Sequence, residues 1–262
     1  MRILLPAIVL LGVLNAPFSL AEDNPEASKL DALKKAIERL NLPGVTIDPE
    51  EWCVDVESEV CLHHGLLEFI ACTKGSKEHE SIITIKAKPR DIHTALLLLG
   101  AKPGSPAHQK AGNEERTRWI SVPPSGHPVE VSLVVPGQDG KGKEREIKDF
   151  VAGRENPDDA SHFEPNDSNE EAPENEDRFP TNTFLFAGSI LENLAEGQKG
   201  PRTYLADMSG SVISISTFGD ELLCLPGIHG QGNDTLRWSV DPTHLPKVGE
   251  KVILRLRPKR EK

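Results

Sequence analysis

The feature that most constrains this chain is a set of segments in which apolar residues recur at every second position. Between Pro128 and Val135 every second residue is Val or Leu, and the same alternation runs from Glu250 to Leu256. A period of two places successive side chains on opposite faces of a strand. These segments therefore predict β-strands that bury one face and expose the other.

The remaining strand and helix signals predict an α+β fold with mainly antiparallel β-strands and two or three helices. Helical spacing of apolar residues follows Ser28 up to Leu40, and returns from Pro89 to Leu99 with Gly100 as a stop. Further strands are predicted at 45–47, 52–56, 65–72, 81–86, 118–122, 143–147, 183–191, 202–206, 211–218 and 237–240. Segments 65–72 and 81–86 flank a turn-like stretch, so we expect them to pair as a hairpin.

Residues 1–21 have the features of a secretory signal peptide. Met1 and Arg2 form a short positive region, an apolar run extends to Leu14, and Ser19 and Ala21 supply the small residues of a cleavage site. The apolar run is shorter than the about 20 residues that span a bilayer. We therefore expect a periplasmic or extracellular protein that does not span the membrane after cleavage.

Residues 154–178 form an acidic segment unlike the rest of the chain. Of its 25 residues, 10 are acidic, 2 are basic and only 3 are apolar. Such a composition buries too little apolar surface to offset the entropy of ordering. We predict a disordered acidic linker inserted into one domain, with residues 22–153 as its N-terminal part and 179–262 as its C-terminal part.

The overall charge argues against nucleic-acid binding. The chain has 30 Lys and Arg against 41 Asp and Glu, a net charge of −11, with only 3 Trp and 1 Tyr. Nucleic-acid binding usually needs a positive surface and aromatic rings for stacking. We therefore expect no nucleic-acid partner.

The four cysteines are Cys53, Cys61, Cys72 and Cys224. An even number of cysteines in an exported protein predicts at least one disulfide, and the three pairings that four cysteines allow stay open. No CxxC motif is present, so the sequence lacks the signatures of zinc ribbons, thioredoxins and four-cysteine iron–sulfur proteins.

Known catalytic motifs are also missing from the sequence. Residues 137–143 have the spacing GxxxxGK of a phosphate-binding loop, but Glu144 stands where a Ser or Thr would hold magnesium. A hairpin turn explains this stretch better. The motifs GxSxG, HExxH, SxxK and GxGxxG do not occur.

The most unusual local chemistry lies around the predicted hairpin. Pairing of its strands would bring together Glu68, Cys72, His79 and Glu80, and His93 on the following helix is the nearest further ligand. Thiol, imidazole and carboxylate groups together bind transition metals or move protons. The alternative is structural: charged cross-strand pairs fix the register, and His79 lies on the core side because it shares the parity of the strand's apolar residues.

With these residues in place, the chain resembles the YdjY-like domain family of bacterial envelope proteins found in planctomycete-type genomes. The resemblance covers most of residues 44–258 and departs from the family at Cys224 and in the acidic segment. Its motifs are GLLE at 65–68 with Cys72, KEHESI at 77–82, IH at 92–93, ALLLLGA at 95–101, PG at 103–104, FAGS at 186–189, YLAD at 204–207, TF at 217–218 and LPKVG at 245–249.

The resemblance implies no established reaction, substrate or cofactor. A ferredoxin-like label carried by some members does not fit a chain without a four-cysteine cluster motif. We therefore expect an exported, non-catalytic module without a cofactor that binds an envelope protein or a surface ligand. The alternative is a metal-binding or redox protein, or an enzyme, with a transition metal near Glu68, Cys72, His79, Glu80 and His93.

Overall fold

A computed structural model of the chain describes residues 25–137, 140–153, 178–192, 202–231 and 236–260. The predicted signal peptide lies outside these ranges, and so does the acidic segment up to residue 177. Arg178 is described, and its backbone bridges Ala152. The described part of the chain thus stops at Gly153 and resumes beside the same strand.

The described residues contain three α-helices: α1 (Pro25–Glu38), α2 (Pro89–Leu98) and α3 (Leu205–Ser209). The two long helices confirm the prediction from helical spacing. Helix α2 begins with proline. The missing N–H of proline costs nothing there, because N–H groups in the first turn have no partner within the helix. Gly100 follows the helix with a φ of 78°. No helix in the described ranges is long and apolar enough to cross a membrane.

Strands account for most of the remaining regular structure. The N-terminal strands are β1 (Val45–Asp48), β2 (Cys53–Val60), β3 (Phe69–Thr73), β4 (Ser81–Ile85), β5 (Pro103–Ser105), β6 (His108–Ala111), β7 (Trp119–Val122), β8 (Ser125–Pro136), β9 (Gly142–Glu146) and β10 (Val151–Gly153). The later strands are β11 (Thr183–Phe186), β12 (Leu191–Glu192), β13 (Thr203–Tyr204), β14 (Ser211–Ser214), β15 (Leu223–Cys224), β16 (Trp238–Val240) and β17 (Lys251–Pro258).

Eight of these strands close into a barrel in the order β2, β17, β8, β11, β15, β14, β3, β4. Pairing of β4 with β2 completes the ring, while β1 pairs with β2, and β5 and β9 pair with β8. Within the ring, β3–β4 and β14–β15 are parallel and the other pairs are antiparallel. The mainly antiparallel α+β prediction is confirmed at this level, but closure of the sheet was not predicted.

The predicted hairpin between 65–72 and 81–86 is wrong, because β3 and β4 run parallel. The connection between them, residues 74–80, ends in a 3-10 turn at Glu78–Glu80. Five strand residues span about 16 Å, and seven residues can extend over about 23 Å. The connection is therefore long enough to carry the chain back to the start of the neighbouring strand.

The inner face of the barrel is a continuous apolar surface. Leu254 of β17 lies opposite Val56 of β2 and Leu133 of β8, and Ile83 of β4 lies opposite Ala71 of β3. All five side chains are buried. The alternation that predicted the strands thus places their apolar faces in one shared core.

The outer face of β2, β8, β9 and β17 carries a cluster of charged side chains around Glu144. The Arg255 guanidinium donates to both Asp55 oxygens at 2.7 and 2.6 Å and to Glu144 Oε2 at 3.0 Å. Arg257 also donates to Glu144, as does the Ser132 hydroxyl at 2.8 Å. Partial burial opposes ionisation of Glu144, but the hydrogen bonds from Arg257, Ser132 and Arg255 outweigh it and lower its pKa to about 2.

This pKa predicts how acid destabilises the barrel. Because the folded state lowers the pKa of Glu144 from 4.5 to about 2, its stabilising contribution is complete above the unfolded value and is lost as the pH falls towards the folded value. Glu144→Gln should lower the thermal midpoint near neutral pH, and much less near the acid end of this window. Thermal unfolding of both proteins across this pH range measures the difference.

Glu130→Gln is the matched control, because Glu130 on the same strand as Ser132 forms only an exposed 3.6 Å ion pair with Lys259. It should change the thermal midpoint little at any pH. Equal effects of the two substitutions near neutral pH would show that the cluster around Glu144 does not stabilise the barrel.

Candidate functional site on the outer face of the barrel

The register of four neighbouring strands places a row of polar side chains across the outer face. Lys251 of β17 lies opposite Glu59 of β2, Glu59 lies opposite Thr84 of β4, and Thr84 lies opposite Cys72 of β3. Directly paired residues lie on the same face of a sheet. We call these four residues the outer-face row.

A cavity of about 580 Å³ opens over one end of this row. Thr84, Glu59 and Lys251 line it, and Gly44 and Ala87 contribute to its apolar wall. Thr84 is only 5% exposed, and its hydroxyl has no hydrogen-bond partner among the described residues. A buried hydroxyl without a partner costs about 1–3 kcal/mol, and this oxygen is closed off from solvent although the residue lines the cavity.

Both paired and unpaired charged residues line the cavity. The Glu59 carboxylate accepts a hydrogen bond from Lys251 at 2.8 Å and lies 3.6 Å from the ammonium nitrogen of Lys74. The hydrogen bond from Lys251 is the main cause that lowers the pKa of Glu59. In contrast, Glu57 and Lys86 also line the cavity, and no hydrogen bond or ion pair joins their side chains to any described residue. These two opposite charges are therefore free to meet a ligand.

Two cysteines, Cys61 and Cys72, lie on the same face. The Cys61 thiol donates to the Ser81 carbonyl oxygen at 3.1 Å. Cys72 is fully buried on β3, and the Ser81 and Ser76 hydroxyls donate to the Lys77 and Thr73 carbonyl oxygens. The Cys61 thiol is the main cause that lowers the pKa of Cys72 to about 6, against the effect of burial, while the pKa of Cys61 rises.

The structure shows none of the predicted disulfides, because all four cysteines are free. Cys53 begins β2 and Cys224 ends β15, and each is buried away from the other thiols. Burial raises the pKa of Cys53 to about 11 and that of Cys224 to about 12. These two residues therefore behave as small apolar core residues.

The predicted cluster of five ligands is divided among three places. Glu68 and Glu80 do lie together: burial, and then the charge of Glu80, raises the pKa of Glu68 to about 6. His79 is 3.5 Å from Glu80. Cys72 lies instead on β3, opposite Thr84 of β4. Among the described residues, no group of three or more His, Cys, Asp or Glu side chains is arranged to hold a metal ion.

The prediction that His79 faces the core is wrong, because its side chain is 77% exposed. The strand begins only at Ser81, and His79 belongs to the preceding 3-10 turn. The parity argument assumed that the strand's alternation extends back to residue 79. A 3-10 turn has about three residues per turn, so the alternation does not continue into it.

His93 lies in a separate buried cluster between α2 and the start of α3. Its Nδ1 donates to the Tyr204 hydroxyl at 2.8 Å, and that hydroxyl donates to the Gly188 carbonyl oxygen at 2.9 Å. Its ring also meets Phe186 edge-on, with the centroids 4.8 Å apart. Burial lowers the pKa of His93, so the neutral ring fits this structural position.

Sequence reasoning missed the cavity residues Glu57, Thr84 and Lys86. One signal was present, since Thr84 interrupts an otherwise apolar run in SIITI. A hydroxyl in a fully buried strand needs a partner, and Thr84 was the position to question. Glu57 and Lys86 carried no such signal, because charged residues on the exposed face of a strand are ordinary.

Comparison with known proteins gives one match. The family model of the YdjY domain matches residues 45–257, which include the whole ring of strands and α2. No curated protein and no solved structure matches the chain. The match confirms the resemblance inferred from the motifs.

The contrast between the two histidines predicts different effects of their removal. His79→Ala should change the free energy of unfolding by less than about 0.5 kcal/mol, because the side chain is exposed. His93→Ala should cost more than about 1 kcal/mol, because it removes a buried ring and its hydrogen bond to Tyr204. Denaturant unfolding of both variants measures the values, and a larger loss in His79→Ala would contradict the placement of this residue.

The raised pKa of Glu68 predicts a second pH effect, of opposite sign to that of Glu144. Folding raises the pKa of Glu68 from 4.5 to about 6. The contribution of Glu68 to stability is therefore present below its unfolded pKa and is lost as the pH rises through its folded pKa. Glu68→Gln should therefore raise the thermal midpoint near neutral pH relative to wild type, with a smaller effect in acid.

Carboxyl-carbon NMR tests the stated cause. In Glu80→Gln the charge that repels ionised Glu68 is gone, so the pKa of Glu68 should fall towards 4.5. An unchanged Glu68 titration in Glu80→Gln would show that Glu80 does not contribute to the shift.

Proposed function

The chain belongs to the YdjY domain family, and we propose that it is an exported, non-catalytic binding module that holds a small dipolar ligand in the outer-face cavity. Export is supported by the signal-like residues 1–21. The ligand class is an amino acid or short peptide with one ammonium and one carboxylate group. The observation that carries the proposal is the pair of opposite charges, Glu57 and Lys86, which line the cavity and form no hydrogen bond or ion pair among the described residues.

The free charges support a dipolar ligand. Lys86 directly follows Ile85, which pairs with Ser58, and Glu57 directly precedes Ser58. The two charged residues therefore lie side by side on neighbouring strands, although their side chains form no ion pair with each other. A ligand carboxylate would pair with Lys86 and its ammonium group with Glu57. Neutral or singly charged ligands would leave one of these groups unpaired.

NMR titration of the ¹⁵N-labelled protein with the dipeptide Ala-Ala tests the proposal. The amides of Thr84, Lys86 and Glu57 should shift together and saturate. N-acetyl-alanine lacks the ammonium group and alanine amide lacks the carboxylate, so each should bind about 10-fold more weakly, the equivalent of one lost charge-assisted hydrogen bond. No saturable shift at these amides, or equal binding of the three probes, would contradict the proposal.

A pair of matched variants separates binding from stability. Lys86→Gln removes the free positive charge that lines the cavity, so it should weaken dipeptide binding without lowering stability. Lys88→Gln removes another exposed positive charge, one that does not line the cavity. This control should keep stability and full binding. Loss of binding in Lys88→Gln, or unchanged binding in Lys86→Gln, would contradict the role of Lys86.

A further inference from the structure

A second cavity, of about 440 Å³, lies beside the residues that directly follow β14. Ile215 and Ser216 line it, and both are buried. The second cavity shares no described lining residue with the outer-face cavity. Its volume falls within the range of small-molecule sites, which is about 300–1,000 Å³.

Hydrogen bonds hold the two walls of the second cavity. On one wall, the Leu67 N–H donates to the Trp238 carbonyl oxygen at 2.9 Å, which ties the segment before β3 to β16. On the other wall, the Thr217 N–H donates to the His229 carbonyl oxygen at 3.1 Å, and the His229 N–H donates to the Thr217 hydroxyl at 2.8 Å. The His229 ring also donates from Nε2 to the Pro226 carbonyl oxygen at 2.9 Å. The cavity is therefore formed before any ligand enters.

Most of the lining is apolar. The half-buried Trp238 lies on one wall, and Ile228, 52% exposed, lies at the solvent side. Four further apolar lining residues are buried: Leu67, Ile215, Leu225 and Leu236. An apolar ligand that covers the exposed part of this lining removes it from water, which favours binding.

The charge of the second cavity sets it apart from other cavities of this surface. No Asp or Glu is among its described lining residues, whereas two acidic residues line each of four other cavities, the outer-face cavity included. Arg237 lines the second cavity and is exposed, and no hydrogen bond or ion pair joins its side chain to any described residue. In a chain with a net charge of −11, this apolar cavity with an unpaired cation favours an anion.

We propose that the second cavity binds an apolar monocarboxylate, the chemistry shared by medium-chain fatty acids and aromatic acids. The ligand carboxylate would pair with the Arg237 guanidinium, whose planar fork of N–H donors matches a carboxylate. The apolar body of the ligand would lie against Trp238, Ile228 and the buried lining. A ligand ammonium group would find no carboxylate here among the described residues. This site is separate from the proposed function of the outer-face cavity, and either can fail without the other.

NMR titration of the ¹⁵N-labelled protein with octanoate and with 2-naphthoate tests the site. The indole N–H signal of Trp238 should shift and saturate, whereas those of Trp52 and Trp119, which do not line the cavity, should stay in place. Tighter binding of octanoate identifies a fatty acid as the source, and tighter binding of 2-naphthoate an aromatic acid. 1-Octanol lacks the carboxylate, so it should bind about 10-fold more weakly than octanoate, the equivalent of one lost charge-assisted pair.

Two variants with matched controls separate the charge from the apolar contact. Arg237→Gln should weaken the binding of both acids about 10-fold and leave 1-octanol unchanged, a difference that a merely structural role would not produce. Arg39→Gln removes another exposed arginine without a described side-chain partner, one that does not line the cavity, and should change nothing. Ile228→Ser should weaken the acids and 1-octanol alike, whereas Val248→Ser, at a 57% exposed position outside the cavity, should not.

Circular dichroism confirms that each variant folds, which is expected because all four positions are exposed. No saturable shift of the Trp238 indole signal would overturn the proposal. Equal binding of octanoate and 1-octanol, or unchanged binding of both acids in folded Arg237→Gln, would overturn it as well.

Discussion

Pairing of β4 with β2 closes the sheet, and the outer-face features depend on this contact. The Ser58–Ile85, Glu59–Thr84 and Val60–Ile83 pairs join the two strands, so neither strand is left with an open edge. The same register aligns the outer-face row. Without this pairing, the cavity would lose its β4 wall.

Closure also explains how charge is distributed on this molecule. A closed barrel has one inner face for apolar side chains, so charged residues of the same strands collect outside. Around Glu144 they pair with one another and stabilise the strands. At the cavity, by contrast, Glu57 and Lys86 lack partners among the described residues. Unpaired charges that line a cavity mark a place where a ligand can add ion pairs.

Local sequence patterns predicted the local elements and failed at non-local pairing. Helix α2 has a proline start and a glycine stop, and β8 and β17 alternate cleanly, so their positions were predictable. The parallel pairing of β3 with β4 was not, because a seven-residue connection suits a hairpin as well as a short crossover. That error joined Cys72 to the wrong partners. His79 was misplaced for another reason, because β4 begins only at Ser81 and the 3-10 turn before it does not continue the alternation.

Native-state hydrogen exchange of the Cys61 amide and the β4 amides tests the closure most directly. The Cys61 N–H donates across the closing pair to Ile82, so it should exchange as slowly as the amides of β17 in the middle of the barrel. The exposed hairpin strand β6 gives the reference for weak protection. Exchange of the Cys61 and β4 amides as fast as those of β6 would show that the sheet is open, and would contradict the account of the cavity.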